Sequence, residues 1–149
     1  MKRAIALLVF LSLFPFTSCS EKISAEVVLI KFCDEYPISA DVYSSLADEG
    51  EAGYIDSEML YALYGTESFP DCEFSLVMYG KVDTVREIGV FVTKKGEDRI
   101  ELIELITKRI NFISSFSGGE GFVRKYRGVL VYGFVEDSTY AEELFDRII

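Results

Sequence analysis

Residues 128–135 read GVLVYGFV, and no segment leaves the fold less room. Neither alternating face of this run carries a charge, so as a strand it cannot keep one side in water and belongs inside a sheet. Two other segments alternate as strands do and can lie beside it. Residues 73–79 (EFSLVMY) set Phe74, Leu76 and Met78 on one side, and residues 86–93 (REIGVFVT) set Ile88, Val90 and Val92 on one side. The KVDT between them, residues 81–84, is short enough to close a hairpin.

The remaining apolar residues recur at helical spacing. AEVVLIKFCDEY, residues 25–36, puts Val28, Leu29, Phe32, Cys33 and Tyr36 on one stripe and Lys31, Asp34 and Glu35 opposite, although its β-branched VVLI also suits a strand. Ser24 is a suitable N-cap and Pro37 a stop. Residues 38–55 read as loop. Asp56 then caps the helix SEMLYALY, whose Met59, Leu60, Leu63 and Tyr64 share a face, and Gly65 stands at its C-terminal cap. After the turn KKGED the longest helix runs over residues 98–115 with Ile103, Ile106, Ile110 and Ile113 inward, and SFSGGEG follows as a flexible link. Thr139 and Glu142 match a capping box for a last helix that buries Ala141, Leu144, Phe145 and Ile148. This order predicts an α/β (α+β) two-layer sandwich: a small sheet of about three strands with helices packed on it, in one globular domain over residues 25–149.

Ahead of that domain, Lys2 and Arg3 precede the uncharged run AIALLVFLSLFPF, residues 4–16. A membrane span needs about 20 apolar residues and a signal-peptide core about 7–15, so residues 1–18 read as a signal peptide. Pro15 ends the helical stretch just before a small-residue site. Phe16-Thr17-Ser18 before Cys19 is similar to a bacterial lipobox, although Phe16 stands where leucine is usual. Cys19 is therefore the expected lipidation site, with residues 19–24 as a short tether. Cleavage without lipid, or retention of the apolar run as an anchor, are the competing outcomes. Two acyl chains meet the requirement for stable membrane attachment that one chain does not. The expected location is thus extracytoplasmic, on the outer face of the cell membrane.

Charge and missing residue types exclude several functions. The chain has a net charge of −10 at pH 7, and removing Lys2 and Arg3 makes it more acidic, which argues against nucleic-acid binding. It contains no histidine, which excludes Ser-His and Cys-His catalysis and the commonest zinc ligand. Once Cys19 is assigned, Cys33 and Cys72 remain as either one disulfide or two thiols.

The surviving candidates are few. Asp48, Glu49, Glu51, Asp56 and Glu58 cluster near one loop, yet the EF-hand spacing fails because the twelfth position from Asp48 is Met59. SGGEG lacks the preceding strand and the Gly-Lys-Ser/Thr of a phosphate loop. Neither a metal, a cofactor nor a catalytic residue is assigned. Lys108 and Arg109 suit the C-terminal end of the long helix, and Arg109 can reach across the fold to Glu87 as a structural ion pair or hold an anion. Tyr43, Tyr54, Tyr61 and Tyr64 fall close together in the sequence and form either a binding surface for a peptide or glycan or the core beneath a long loop.

PISADVYSSLADEGEAGYIDSEMLYALYG, EIGVFVTKKG, ITKRINFI and GVLVYGFVED, taken in succession, resemble the bacterial lipoprotein family of the domain of unknown function numbered 4358. Tyr43, the block at residues 54–65, the block at residues 87–91 and Lys108-Arg109-Ile110 carry most of the likeness, which spans nearly the whole chain after Cys19. The resemblance implies export and offers no activity, cofactor or catalytic residue. The expected function is a non-catalytic binding or accessory module at the cell envelope, with a monomeric domain contacting an envelope protein or wall component. The alternative is a hydrolase using an acidic pair.

Overall fold

A computed structural model describes residues 22–36, 38–81, 84–94 and 96–149. Cys19 and the expected signal peptide lie outside the described residues, as do Pro37, Val82, Asp83 and Lys95. The elements are α1 (Ala25–Glu35), β1 (Val42–Ser44), α2 (Ser57–Tyr64), β2 (Cys72–Tyr79), β3 (Arg86–Thr93), α3 (Gly96–Ser114), β4 (Glu120–Lys125), β5 (Val129–Val135) and α4 (Ser138–Ile148). The class is α+β, as the sequence leads one to expect.

The apolar run forms β5, buried along its whole length between β3 and β4. The strands stand in the order β1-β2-β3-β5-β4, and every pairing is antiparallel. The sheet therefore has five strands rather than three, and both extra strands are edges. β1 is three residues long, too short to show a period, and lies within the stretch expected to be loop. β4 has the sequence EGFVRK, in which Phe122 and Val123 are surrounded by charge, and it begins inside the stretch expected to be a flexible link. Charged, short strands are what exposed sheet edges require.

Helices cover both faces, where two layers were expected. On one face α1 and α4 pack Val28, Leu29, Phe32, Leu144 and Phe145 on Val77, Ile88, Val90, Val129 and Val131. On the other, α2 and α3 pack Leu60, Tyr64, Leu102 and Ile106 on Phe74, Leu76, Phe91, Leu130 and Tyr132. The sequence of β5 explains the difference: Val129, Val131 and Val135 serve one cluster and Leu130 and Tyr132 the other, and a strand apolar on both faces needs cover on both.

Several helix ends are fixed by groups other than the expected ones. Asp56 does accept from the Met59 amide at 2.7 Å, and Gly65 takes the left-handed cap conformation at φ 74°. Ser24 occupies the N-cap position of α1 but makes no side-chain cap of its own. Glu73 on β2 caps that helix from outside, accepting from the Ser24 hydroxyl and the Ala25 amide, both at 2.7 Å. The expected capping box of α4 is not formed. Asp137 accepts from the Tyr140 amide at 2.9 Å, while Glu142 is drawn to Arg124 on β4.

Candidate functional site

The inward stripe of α3 is Leu102, Ile106, Arg109 and Ile113, so a guanidinium sits in the middle of an apolar face. It has a partner. Glu87, on the face of β3 turned to α3, is fully buried, and Arg109 forks onto it through Nη2 at 2.7 Å and Nε at 3.1 Å to Oε2. The other carboxylate oxygen, Oε1, accepts from the Tyr64 hydroxyl at 2.8 Å and from the Tyr132 hydroxyl. The two hydroxyls also lie within hydrogen-bonding distance of each other, and the guanidinium rests over the Tyr64 ring. One carboxylate thus joins α2, β3, α3 and β5.

Space for this cluster comes from Gly89. It pairs across the sheet with Tyr132, and a Cβ added there would stand 2.1 Å from Tyr132 Cε1 and 2.7 Å from Leu76 Cδ2. The Tyr132 ring lies where a side chain at 89 would be.

Burial, followed by the charge on Glu87, pushes both phenols well above their ordinary value. For Arg109, burial works to lower the pKa and the bonds to Glu87 more than reverse it, so the cation is held. Both oxygens of Glu87 are engaged and the carboxylate meets no solvent, so the arrangement acts as a tie between layers.

Arg86, next along β3, is buried as well. Its Nη1 donates to the Val85 carbonyl at 2.9 Å and to Ser117 Oγ at 3.2 Å, its Nε pairs with Glu136 at 2.8 Å, and its guanidinium lies over the Phe134 ring. Ser117, in the stretch expected to be a flexible link, is buried by this contact.

The four candidate tyrosines do not form one surface. Tyr64 is buried in the Glu87 cluster and Tyr43, on β1, is half-buried against the core; Tyr54 and Tyr61 are exposed, at 39% and 62%. Tyr54 stands at a cavity of about 230 Å³, with Ser45, Leu60, Phe69, Pro70 and Phe74 around it. Phe69 meets Tyr64, Phe74 and Phe91 edge-on, with ring centroids 4.9, 5.0 and 5.1 Å away, so an aromatic cluster backs the cavity.

No family model, curated protein or solved structure matches this chain. The geometry therefore carries the functional argument alone.

Of the residues singled out in the sequence, the structure brings Arg109 and Glu87 together and sets Tyr54 beside a cavity. Cys33 and Cys72 pack with different clusters on opposite faces of the sheet, which leaves β-sheet between them. The acidic loop gathers no group of three metal-ligating side chains among the described residues. Tyr132 and Phe69 were missed. Tyr132 is the one hydroxyl in an otherwise apolar inner strand, and a buried phenol needs a polar partner, so that signal was present in GVLVYGFV. For Phe69 no local signal exists, because its role depends on where the loop before β2 falls.

Proposed function

We propose that this chain is an exported lipoprotein, related to the family of the domain of unknown function numbered 4358, and that it serves as a non-catalytic binding or accessory module at the cell envelope. The address rests on the apolar run, the small residues and Cys19. The Tyr54 cavity carries the binding role. At about 230 Å³ it falls below the roughly 300–1,000 Å³ of sites that enclose whole small molecules. It suits one side chain or one sugar ring of an envelope protein or wall component, with the exposed Tyr54 ring as the stacking face.

Two measurements test this reading. Intact mass of the protein from the membrane fraction, beside a Cys19→Ser variant, should show loss of residues 1–18 and gain of a diacylglyceryl group in the first and not in the second. A freely secreted, unlipidated mass overturns the address. Titration with soluble wall fragments, followed by backbone resonances, should move Ser45, Tyr54 and Phe69 and should fail in Tyr54→Ala. Titration with peptides from exposed envelope proteins supplies the other arm. Failure of both to move those resonances overturns the binding role.

A further inference from the structure

Helix α1 is apolar on more than its buried stripe. Val27 and Ile30 point away from the core, 50% and 44% exposed, and Ile23 just before the helix is 42% exposed. These residues form an apolar patch on the outer side of the first turns of α1, with Lys31, Asp34 and Glu35 following it, and exposed apolar patches of this kind mark contact surfaces. At the same end of this layer α4 finishes, and a groove of about 580 Å³ runs there between Ile23, Val27, Ile148 and Ile149, with Lys22 and Lys31 at its borders.

We infer that this groove and the outer face of α1 dock on the bilayer that holds the anchor, with the two lysines against anionic headgroups. The inference rests on the proposal that Cys19 is lipidated. Three residue steps separate Cys19 from Lys22, a reach of at most about 11 Å at roughly 3.3–3.6 Å per residue. The exit point is pinned, because Glu73 holds both Ser24 and the Ala25 amide. An acylated Cys19 therefore brings the end of the molecule that carries this groove within about one Debye length of the headgroups. Lys22 also borders a second cavity, but Asp71 and Glu73 line that one and suit an anionic surface less. Charge at the groove favours the same partner: in a chain of net charge −10 it is bordered by lysines, and Glu26 nearby turns back to the Ser44 hydroxyl on β1. Of the acids at the far end of α1, Glu35 pairs with Arg147 while Asp34 lies beyond the groove. An apolar stripe with lysine flanks is the pattern of surfaces that rest in the interface of a bilayer.

The chain contains no tryptophan, so one introduced indole reports its own surroundings. The full-length Val27→Trp protein, purified from membranes and reconstituted into phosphatidylglycerol and phosphatidylcholine vesicles with brominated acyl chains, is compared with Phe112→Trp. Phe112 is 59% exposed on α3, on the other side of the sheet, and an indole there should stay in water. The expected result is a blue-shifted emission from the Val27→Trp protein, quenched severalfold more than that of Phe112→Trp, with the quenching reduced by Lys22→Glu and Lys31→Glu together. An acylated mass with equal quenching at both positions overturns the docking and leaves the anchor standing. A mass without acyl chains, or one retaining residues 1–18, removes the anchor and the docking with it. An emission shift in the Val27→Trp protein that depends on protein concentration in detergent alone assigns the face to a second copy and also overturns the inference.

Discussion

Replacing Arg109 by Met keeps most of the side-chain volume and removes the charge opposite Glu87. The carboxylate then stays in a site with no solvent exposure and keeps only the two phenolic donors. Breaking a buried ion pair from one side costs about 3–5 kcal/mol. Glu87→Gln should cost a similar amount, because the oxygen that receives Nη2 at 2.7 Å becomes an amide donor or forces the amide to turn its donors on the tyrosines. For a domain of this size roughly 1 kcal/mol moves Tm by about 3–5 °C, so each single change should lower Tm by roughly 10–20 °C. The double variant Arg109→Met with Glu87→Gln leaves a neutral amide among two hydroxyls and an apolar chain. It should cost less than the two single changes added together, with a coupling of about 2–3 kcal/mol. Urea unfolding followed by far-UV circular dichroism measures all four corners of the cycle. Single changes that cost under about 1 kcal/mol, or costs additive to within about 0.5 kcal/mol, would refute the buried, paired geometry.

Alkaline pH should unfold the protein. Tyr36, Tyr64, Tyr79, Tyr126 and Tyr132 are held above their ordinary 10.0, chiefly by burial, and Cys33 is raised from 9.0 to about 11 by burial and then by Asp34. Below pH 9 both states keep these protons; above it the unfolded chain releases them first, so stability falls as pH rises. The fully buried Tyr64 and Tyr132 should each contribute a slope of about 1.4 kcal/mol per pH unit above pH 10, and Tyr64→Phe should make the fall shallower. A native protein whose tyrosinate absorbance completes without loss of structure contradicts this. Gly89→Ala should cost about 1–3 kcal/mol or more in urea, since the new methyl lands in the Tyr132 ring; an unchanged midpoint would mean that Tyr132 does not lie over Gly89. Non-reducing peptide mapping should find no Cys33–Cys72 link, because the sheet separates the two; recovery of that linked peptide would contradict the placement.

What was legible in the sequence follows from where the relevant information resides. The stripes of α1, α2 and α4, the Asp56 and Gly65 caps and the hairpin of β2 and β3 are local, set by residues within a few positions of one another, and the structure has them. Capping of α1 by Glu73 was not legible, since Ser24 and Glu73 are 49 residues apart and only the folded sheet brings them together. Both edge strands were lost for a related reason: β1 is three residues long and β4 gains its strand character from pairing with β5.

Arg109 shows how a local pattern misleads about a global role. Read by hydrophobicity alone, the long helix offers a tidy isoleucine stripe, and the arginine falls among residues suited to its C-terminal dipole. In the structure Ile103 and Ile110 are only half-buried, and the buried line runs through Leu102, Ile106, Arg109 and Ile113. The rotation is forced from the sheet. Glu87 stands on an inner strand between Ile88 and Arg86, with its side chain on the α3 face because Ile88 must take the other. A carboxylate so placed needs a cation, and α3 supplies one by turning Arg109 inward. The partner could be named from the sequence because arginine pairs readily with a carboxylate and Arg109 is one of two guanidiniums on the long helix, the other, Arg99, standing in its first turn. Its bonds to Tyr64 and Tyr132 could not, because they depend on Gly89 leaving room for an aromatic ring across the sheet. The cost of a charged group in the core is thus met by four separate elements, and no one segment of sequence contains enough of them to announce it.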